Sequence, residues 1–141
     1  MKPMDYMKAA GLAFLVIVVT MALSFPMVFA YATFVEPGRP QAFYNEAALW
    51  IAPWSSHIFG PVLFFGLNYL MARRRPERNA LAFAAATIIL YVLIDFGLLG
   101  LATGSVGGLL TLVVAMSMAG KIAAAFLGAL LGSRRTRAAT A

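Results

Sequence analysis

Residues 80–103 read ALAFAAATIILYVLIDFGLLGLAT, a run in which Asp95 is the sole charged residue. A helix needs about 20 mainly apolar residues to cross a hydrocarbon core roughly 30 Å thick. Residues 9–34, 51–72 and 106–132 form three further stretches of this kind. The pattern predicts an all-α polytopic membrane protein, a bundle of four antiparallel transmembrane helices that forms a single integral membrane domain over residues 1–141.

The composition agrees with a membrane domain and excludes a soluble one. Of the 141 residues, 62% are hydrophobic and 11% are charged, whereas a soluble domain has about 25% charged residues. The predicted loops are too short to hold a second domain. Cysteine is absent, which excludes disulfides and thiol chemistry.

The formal net charge is +6, and the basic residues are distributed as the predicted topology requires. Apart from Arg39 and Lys121, the basic residues lie before stretch one, between stretches two and three, or in the tail at 133–141; they are Lys2, Lys8, Arg73, Arg74, Arg75, Arg78, Arg134, Arg135 and Arg137. The positive-inside rule then places both termini in the cytoplasm, and we expect a bacterial inner membrane. The predicted partner of these charges is the lipid bilayer, with anionic headgroups, and not nucleic acid.

The first stretch also resembles a signal peptide. Lys2 and Lys8 precede an apolar run that ends near residues 30–32, Ala-Tyr-Ala, which is a small-x-small cleavage pattern. The run of about 26 residues is longer than a typical signal core. We therefore expect it to remain as the first transmembrane helix.

The segments between the stretches have patterns of their own. Residues 35–50 begin with a turn motif and continue with aromatic residues at helical spacing, which predicts an interfacial helix anchored by Trp50 and Trp54; a loop with chance aromatic spacing is the alternative. The short basic loop around Pro76 predicts that helices two and three form a tight antiparallel hairpin. The glycine-rich segment 103–108 predicts a tight turn.

Polar residues inside the predicted helices are the candidates for a functional site. At about 100° per residue, the polar residues of each helix lie on one stripe. In a bundle such stripes face inward, because lipid offers polar side chains no hydrogen-bond partners. The candidates for a binding site or an ion relay are Ser24, Tyr31, His57, Asn68, Tyr91, Asp95, Ser117 and Lys121.

Asp95 and Lys121 are the strongest of these candidates. A charge at membrane depth costs at least ~2.5 kcal/mol, and the tilt of helical side chains toward the helix N-terminus directs the two toward each other. The open interpretations are a proton or ion relay, a substrate-gated switch, a structural ion pair and two separate charges. His57 could share a proton with Asp95. One histidine and one aspartate fall short of a metal site, and no metal or cofactor is predicted.

Helix four carries small residues at four-residue spacing, namely Gly120, Ala124, Gly128 and Gly132. Such a ridge predicts close approach by another helix. Helix one, a second copy of the chain and a different subunit are the open choices for that helix.

The motifs of common enzymes are missing. The chain has neither His-Glu-x-x-His nor Gly-x-Ser-x-Gly, and Ser55 and Ser56 do not face His57 on a helix. We expect a small non-enzymatic membrane subunit that assists a larger complex or moves a small solute or ion, as a homo-oligomer or in a hetero-complex. The alternative is a membrane-embedded enzyme, or a cofactor- or ligand-binding protein, with a site near the outer leaflet at His57, Asp95 and Tyr31.

Overall fold

The computed structural model describes residues 1–103 and 112–138, and four helices account for most of them. Helix α1 spans Pro3–Ala30 and continues into a π-helical turn at Tyr31–Val35, α2 spans Gln41–Arg74, α3 spans Ala80–Thr103 and α4 spans Leu112–Ala138. The described residues contain no strand, so the predicted all-α fold of four helices is confirmed. The predicted turn at 103–108 and the end of the tail fall on 104–111 and 139–141, outside the described residues.

All four helices are long and apolar enough to cross a membrane. Large apolar side chains cover the outside of the bundle; Phe34 is 81% exposed and Phe25 is 74% exposed. Polar side chains lie inside, with Asn68, Thr87 and Lys121 buried. This is the reverse of a soluble protein, and it is typical of a bundle that faces hydrocarbon.

Helix α2 runs without interruption from Gln41 to Arg74 and passes through Pro53 and Pro61. The prediction of a separate interfacial helix is therefore wrong, because the residues assigned to it form the first turns of α2. Their helical period continues in phase into the apolar stretch. At 1.5 Å per residue, α2 is about 50 Å long, which exceeds a hydrocarbon core of roughly 30 Å.

The contacts between helices define their order around the bundle. The most extensive contact joins α2 to α4; α1 packs on α2 and α3, and α3 packs on α4. Helices α2 and α3 scarcely touch, although residues 75–79 join them directly. The predicted tight hairpin of helices two and three is therefore wrong. The order around the bundle is α1, α2, α4, α3, and the short loop crosses a diagonal.

Arg78 ties this loop to three helices at once. Its guanidinium carbon lies 3.6 Å from the ring centroid of Phe83, its Nη2 donates to the Met71 carbonyl at 3.0 Å, and its Nη1 lies 3.5 Å from Asp5 Oδ1. Burial lowers the pKa of the guanidinium, and the Asp5 carboxylate acts in the opposite direction. Arginine remains charged throughout. These contacts hold the start of α3 beside α1.

The small-residue ridge of α4 lies against α2 of the same chain, which is not among the helices expected there from the sequence. A Cβ at Gly128 would overlap the carbonyl oxygen of Phe65, and a Cβ at Gly132 would lie 2.5 Å from the carbonyl oxygen of Tyr69. Gly120 is less confined, since the nearest atom to a Cβ there is 3.8 Å away. Residue numbers rise together along this contact, so α2 and α4 run in the same direction.

Candidate functional site

Lys121 is the centre of a polar cluster inside the bundle. Only 2% of the residue is exposed. Its Nζ donates hydrogen bonds of 2.8 Å to Ser56 Oγ and 2.9 Å to Tyr91 Oη. The two hydroxyl oxygens lie 3.4 Å apart, so α2, α3 and α4 each contribute one group to a closed triangle. We call these three residues the lysine cluster.

Gly60 makes room for the lysine side chain on α2. A Cβ at this position would lie 2.6 Å from Lys121 Cε, well inside van der Waals contact. Ser56 and Gly60 are four residues apart and therefore share one face of α2. The lysine crosses α2 at a glycine notch and reaches the hydroxyl one helical turn away.

Tyr91 is held firmly in the cluster. It is almost fully buried, and its ring meets Phe64 edge to face, with centroids 5.0 Å apart and planes at 90°. Lys121 Nζ also lies 5.0 Å from the centre of the tyrosine ring, within the range of a cation–π interaction. Packing and charge together fix the hydroxyl in front of the ammonium group.

Asp95 stands beside the cluster without closing an ion pair. It lies one turn after Tyr91 on α3, and its carboxylate is close enough to interact electrostatically with the Tyr91 hydroxyl and with Lys121. In the described part of the chain, no ion pair of 4.0 Å or less joins Asp95 to Lys121. The lysine therefore bonds two neutral hydroxyls, and the acid lies next to them.

Two further polar atoms on helices that contribute to the cluster have no hydrogen-bond partner among the described residues. They are His57 Nδ1 and Ser117 Oγ, and both are buried. The His57 ring packs edge to face on Trp54, with centroids 5.9 Å apart, and it lies within electrostatic range of Lys121. Both atoms are free to accept or donate a hydrogen bond.

The remaining candidates lie apart from the lysine cluster. Ser24 Oγ and Asn68 Nδ2 donate to backbone carbonyls of their own helices, at 2.6 Å and 2.9 Å. The Tyr31 ring contacts aromatic side chains near the start of α2. The structure thus brings His57 and Asp95 to the lysine cluster and places Tyr31 in different surroundings.

Ser56 lies in the cluster, although its position beside His57 in the sequence suggests only a nucleophile, and one that does not face the histidine. A usable signal is its spacing to Gly60, because a small polar residue and a glycine one turn apart can admit a long side chain from a neighbouring helix. Ser55 has a structural role that the sequence does not indicate. It is buried, and its Oγ donates to the Thr20 carbonyl at 2.8 Å, which links α2 to α1.

Neither a metal site nor a known relative identifies the chemistry of the lysine cluster. No three His, Asp or Glu side chains among the described residues are grouped so that they could hold a metal ion. No protein-family model, curated protein or solved structure matches this chain.

Proposed function

We propose that the protein is a small, non-enzymatic, multi-pass membrane protein that moves protons or a small ion across the membrane, as a homo-oligomer or with partner subunits. One observation carries the proposal: the Lys121 ammonium group is buried between two neutral hydroxyls, and the Asp95 carboxylate lies nearby but forms no ion pair of 4.0 Å or less among the described residues. Ionisable residues at membrane depth mark ion pathways and proton relays.

The arrangement suits proton exchange better than a static ion pair. A direct pair would keep both charges in place, because removing either one leaves the other buried and uncompensated. Here the Tyr91 oxygen accepts a hydrogen bond from Lys121, and its own proton remains available to a further acceptor. A proton can pass from Lys121 through the tyrosine hydroxyl to Asp95 if each hydrogen bond reverses in turn.

The distribution of charge and of aromatic residues supports a location for this function. The clustered basic segments favour a bacterial inner membrane with both termini in the cytoplasm. Trp50 and Trp54 are about half exposed, at 51% and 52%, as expected of anchors at the membrane interface. Four helices rarely enclose a solute pathway alone, so we propose that the protein associates with further chains.

Proton flux in liposomes tests the proposal. The purified protein is reconstituted with an internal pH-sensitive dye, and a potassium gradient with valinomycin supplies the driving force. We expect Lys121→Met and Asp95→Asn to lose at least about tenfold in flux, which corresponds to about 1.4 kcal/mol in the barrier. The controls Lys8→Met and Glu77→Gln neutralise a lysine and a carboxylate outside the cluster and should retain wild-type flux.

A double substitution separates a working relay from an architectural pair. If the pair takes part in transport, Lys121→Met combined with Asp95→Asn recovers part of the stability that each single change loses, because no charge is left uncompensated, but flux stays low. Recovery of both flux and stability would contradict the proposal. So would wild-type flux in a Lys121→Met protein that is monodisperse and helical by circular dichroism.

A further inference from the structure

A second site lies where the end of α1 meets the first turns of α2. A pocket of about 240 Å³ is lined there by Tyr31, Phe43, Glu46, Ala47 and Trp50. The four α2 residues follow the spacing i, i+3, i+4, i+7, which places them on one face of the helix. Tyr31, the first residue of the π-helical turn that follows α1, completes the lining. We call this site the aromatic pocket.

The rings of the aromatic pocket form walls at right angles. Tyr31 and Trp50 are perpendicular, with an interplanar angle of 89° and centroids 5.4 Å apart. Phe43 lies nearly parallel to Tyr31, at 16° and 6.4 Å. Ring faces carry negative electrostatic potential, and a cation within about 6 Å of a ring centroid is attracted to them. Perpendicular walls let one bound cation face more than one ring.

Glu46 adds a full negative charge to the same site. Among the described residues it has no ion-pair partner, whereas the neighbouring Glu36 carboxylate is paired with Arg39 at 3.0 Å. The Arg39 guanidinium lies over the Phe43 ring, with its central carbon 5.5 Å from the ring centroid, so Glu46, Tyr31 and Trp50 are the groups left to a further cation. A carboxylate beside aromatic faces attracts cations and repels anions.

The connection between α1 and α2 is braced around the pocket. Tyr44 Oη donates to the Glu36 carbonyl at 2.7 Å and accepts from the Arg39 amide at 3.0 Å. The π-helical turn Tyr31–Val35 is closed by a bond of 3.0 Å from the Glu36 amide to the Tyr31 carbonyl. Turns of this kind are rare and often occur at functional sites. Here the turn begins at the tyrosine that lines the pocket.

We propose that the aromatic pocket binds a quaternary ammonium group, either as the choline-type headgroup of a lipid or as a free organic cation. Such a group has no N–H to donate, so it requires no hydrogen-bond acceptor, and aromatic faces with one carboxylate are sufficient to attract it. Recognition of quaternary ammonium groups by aromatic side chains is a known use of cation–π attraction. A volume of about 240 Å³ is sufficient for a trimethylammonium group. The proposal does not depend on the lysine cluster.

Tryptophan fluorescence of the full chain tests the proposal. The chain has two tryptophans, so Trp54→Phe leaves Trp50 as the single reporter in the pocket. In nanodiscs of phosphatidylglycerol, tetramethylammonium and choline should change its emission with saturation. The neutral choline isostere 3,3-dimethyl-1-butanol and sodium at matched ionic strength should not.

Substitutions in the same background identify the binding groups. We expect Glu46→Gln to raise the Kd for tetramethylammonium at least about fivefold, and Tyr31→Leu at least about threefold, the scale of one cation–π contact. Glu77→Gln is the matched control and should leave the Kd unchanged. Circular dichroism verifies that each variant is folded.

The lipid of the nanodisc distinguishes the two sources of the ligand. At a fixed fraction of anionic lipid, and therefore a fixed surface potential, phosphatidylethanolamine is replaced by phosphatidylcholine. A choline headgroup that enters the pocket then competes and raises the apparent Kd for tetramethylammonium, whereas an unchanged Kd assigns the pocket to free cations, and both results support the proposal. It is overturned by a response that does not saturate in phosphatidylglycerol, by an equal response to the neutral isostere, or by a Glu46→Gln protein that binds as tightly as Glu77→Gln.

Discussion

Replacement of Gly128 by alanine adds a methyl group to the contact between α4 and α2. The new Cβ would overlap the Phe65 carbonyl oxygen and lie 3.0 Å from the carbonyl carbon and 3.1 Å from Cα. These are backbone atoms, so no rotation of a side chain can relieve the overlap. The two helices must move apart.

The size of the effect follows from those distances. Carbon atoms pack best at about 3.5–4.0 Å, so α4 must shift by roughly 0.5–1 Å, and a gap of that size removes a quarter to a half of each dispersion contact. Overpacking of this kind costs typically 1–3 kcal/mol. Alanine recovers about 1 kcal/mol through its higher helix propensity. We therefore expect a net loss of up to about 2 kcal/mol in the free energy of unfolding, which is about 1–3 kcal/mol worse than a glycine-to-alanine change that meets no neighbour.

The matched control is Gly66→Ala. Gly66 lies within α2, and a Cβ there would meet nothing within 4 Å. The same change should then be neutral or stabilising by up to about 1 kcal/mol. Unfolding in detergent, followed by circular dichroism during titration with sodium dodecyl sulfate, measures both variants. The larger pair Gly128→Leu and Ala119→Leu extends the comparison, because Ala119 is exposed on the same helix.

One result would refute this reasoning. If Gly128→Ala is as stable as Gly66→Ala, α2 and α4 do not approach as closely as the structure shows. The same outcome would remove the argument for the register that places the α4 lysine opposite the hydroxyl acceptors.

Three further predictions concern the lysine cluster, the cytoplasmic loop and the topology. Gly60→Ala displaces Lys121 Cε and should lower proton flux at least about fivefold, about 1 kcal/mol, with little loss of helicity; an unchanged flux would show that the notch is not needed. Arg78→Met should lower the melting temperature more than the exposed control Arg75→Met, since it alone breaks contacts with three helices. Single cysteines introduced by Arg75→Cys and Arg134→Cys should react with an impermeant reagent from the same side, without background from native cysteine, and labelling from opposite sides would contradict the topology.

The helices could be predicted from the sequence because apolar length is a local property. The run at 80–103 and the observed α3 have the same ends. The inward stripes are also local, since they follow from the helical period alone, and Tyr91 and Lys121 are indeed buried.

Neighbour relations could not be predicted, because they depend on several helices at once. A short loop favours a hairpin, yet Arg78 finds its partners on α1, α2 and α3 together, and α3 lies beside α1. Opposite charge directs Lys121 toward Asp95. Its acceptor Ser56 depends on the register between α2 and α4, which the contact of Gly128 with Phe65 sets. Its acceptor Tyr91 depends on how α3 packs on α4, and no single helix encodes either relation.

The helices that form the lysine cluster are synthesised in a fixed order, and this order matters for membrane insertion. Lys121 belongs to the last helix, whereas its acceptors on α2 and α3 are synthesised earlier. A lone lysine at the centre of a segment makes the free energy of membrane insertion less favourable by about 2.5–3.5 kcal/mol. Hydroxyl groups of segments already in the bilayer would offset part of that penalty. We therefore expect the fourth segment to insert against a surface that the preceding segments have formed, so that their assembly precedes its stable integration.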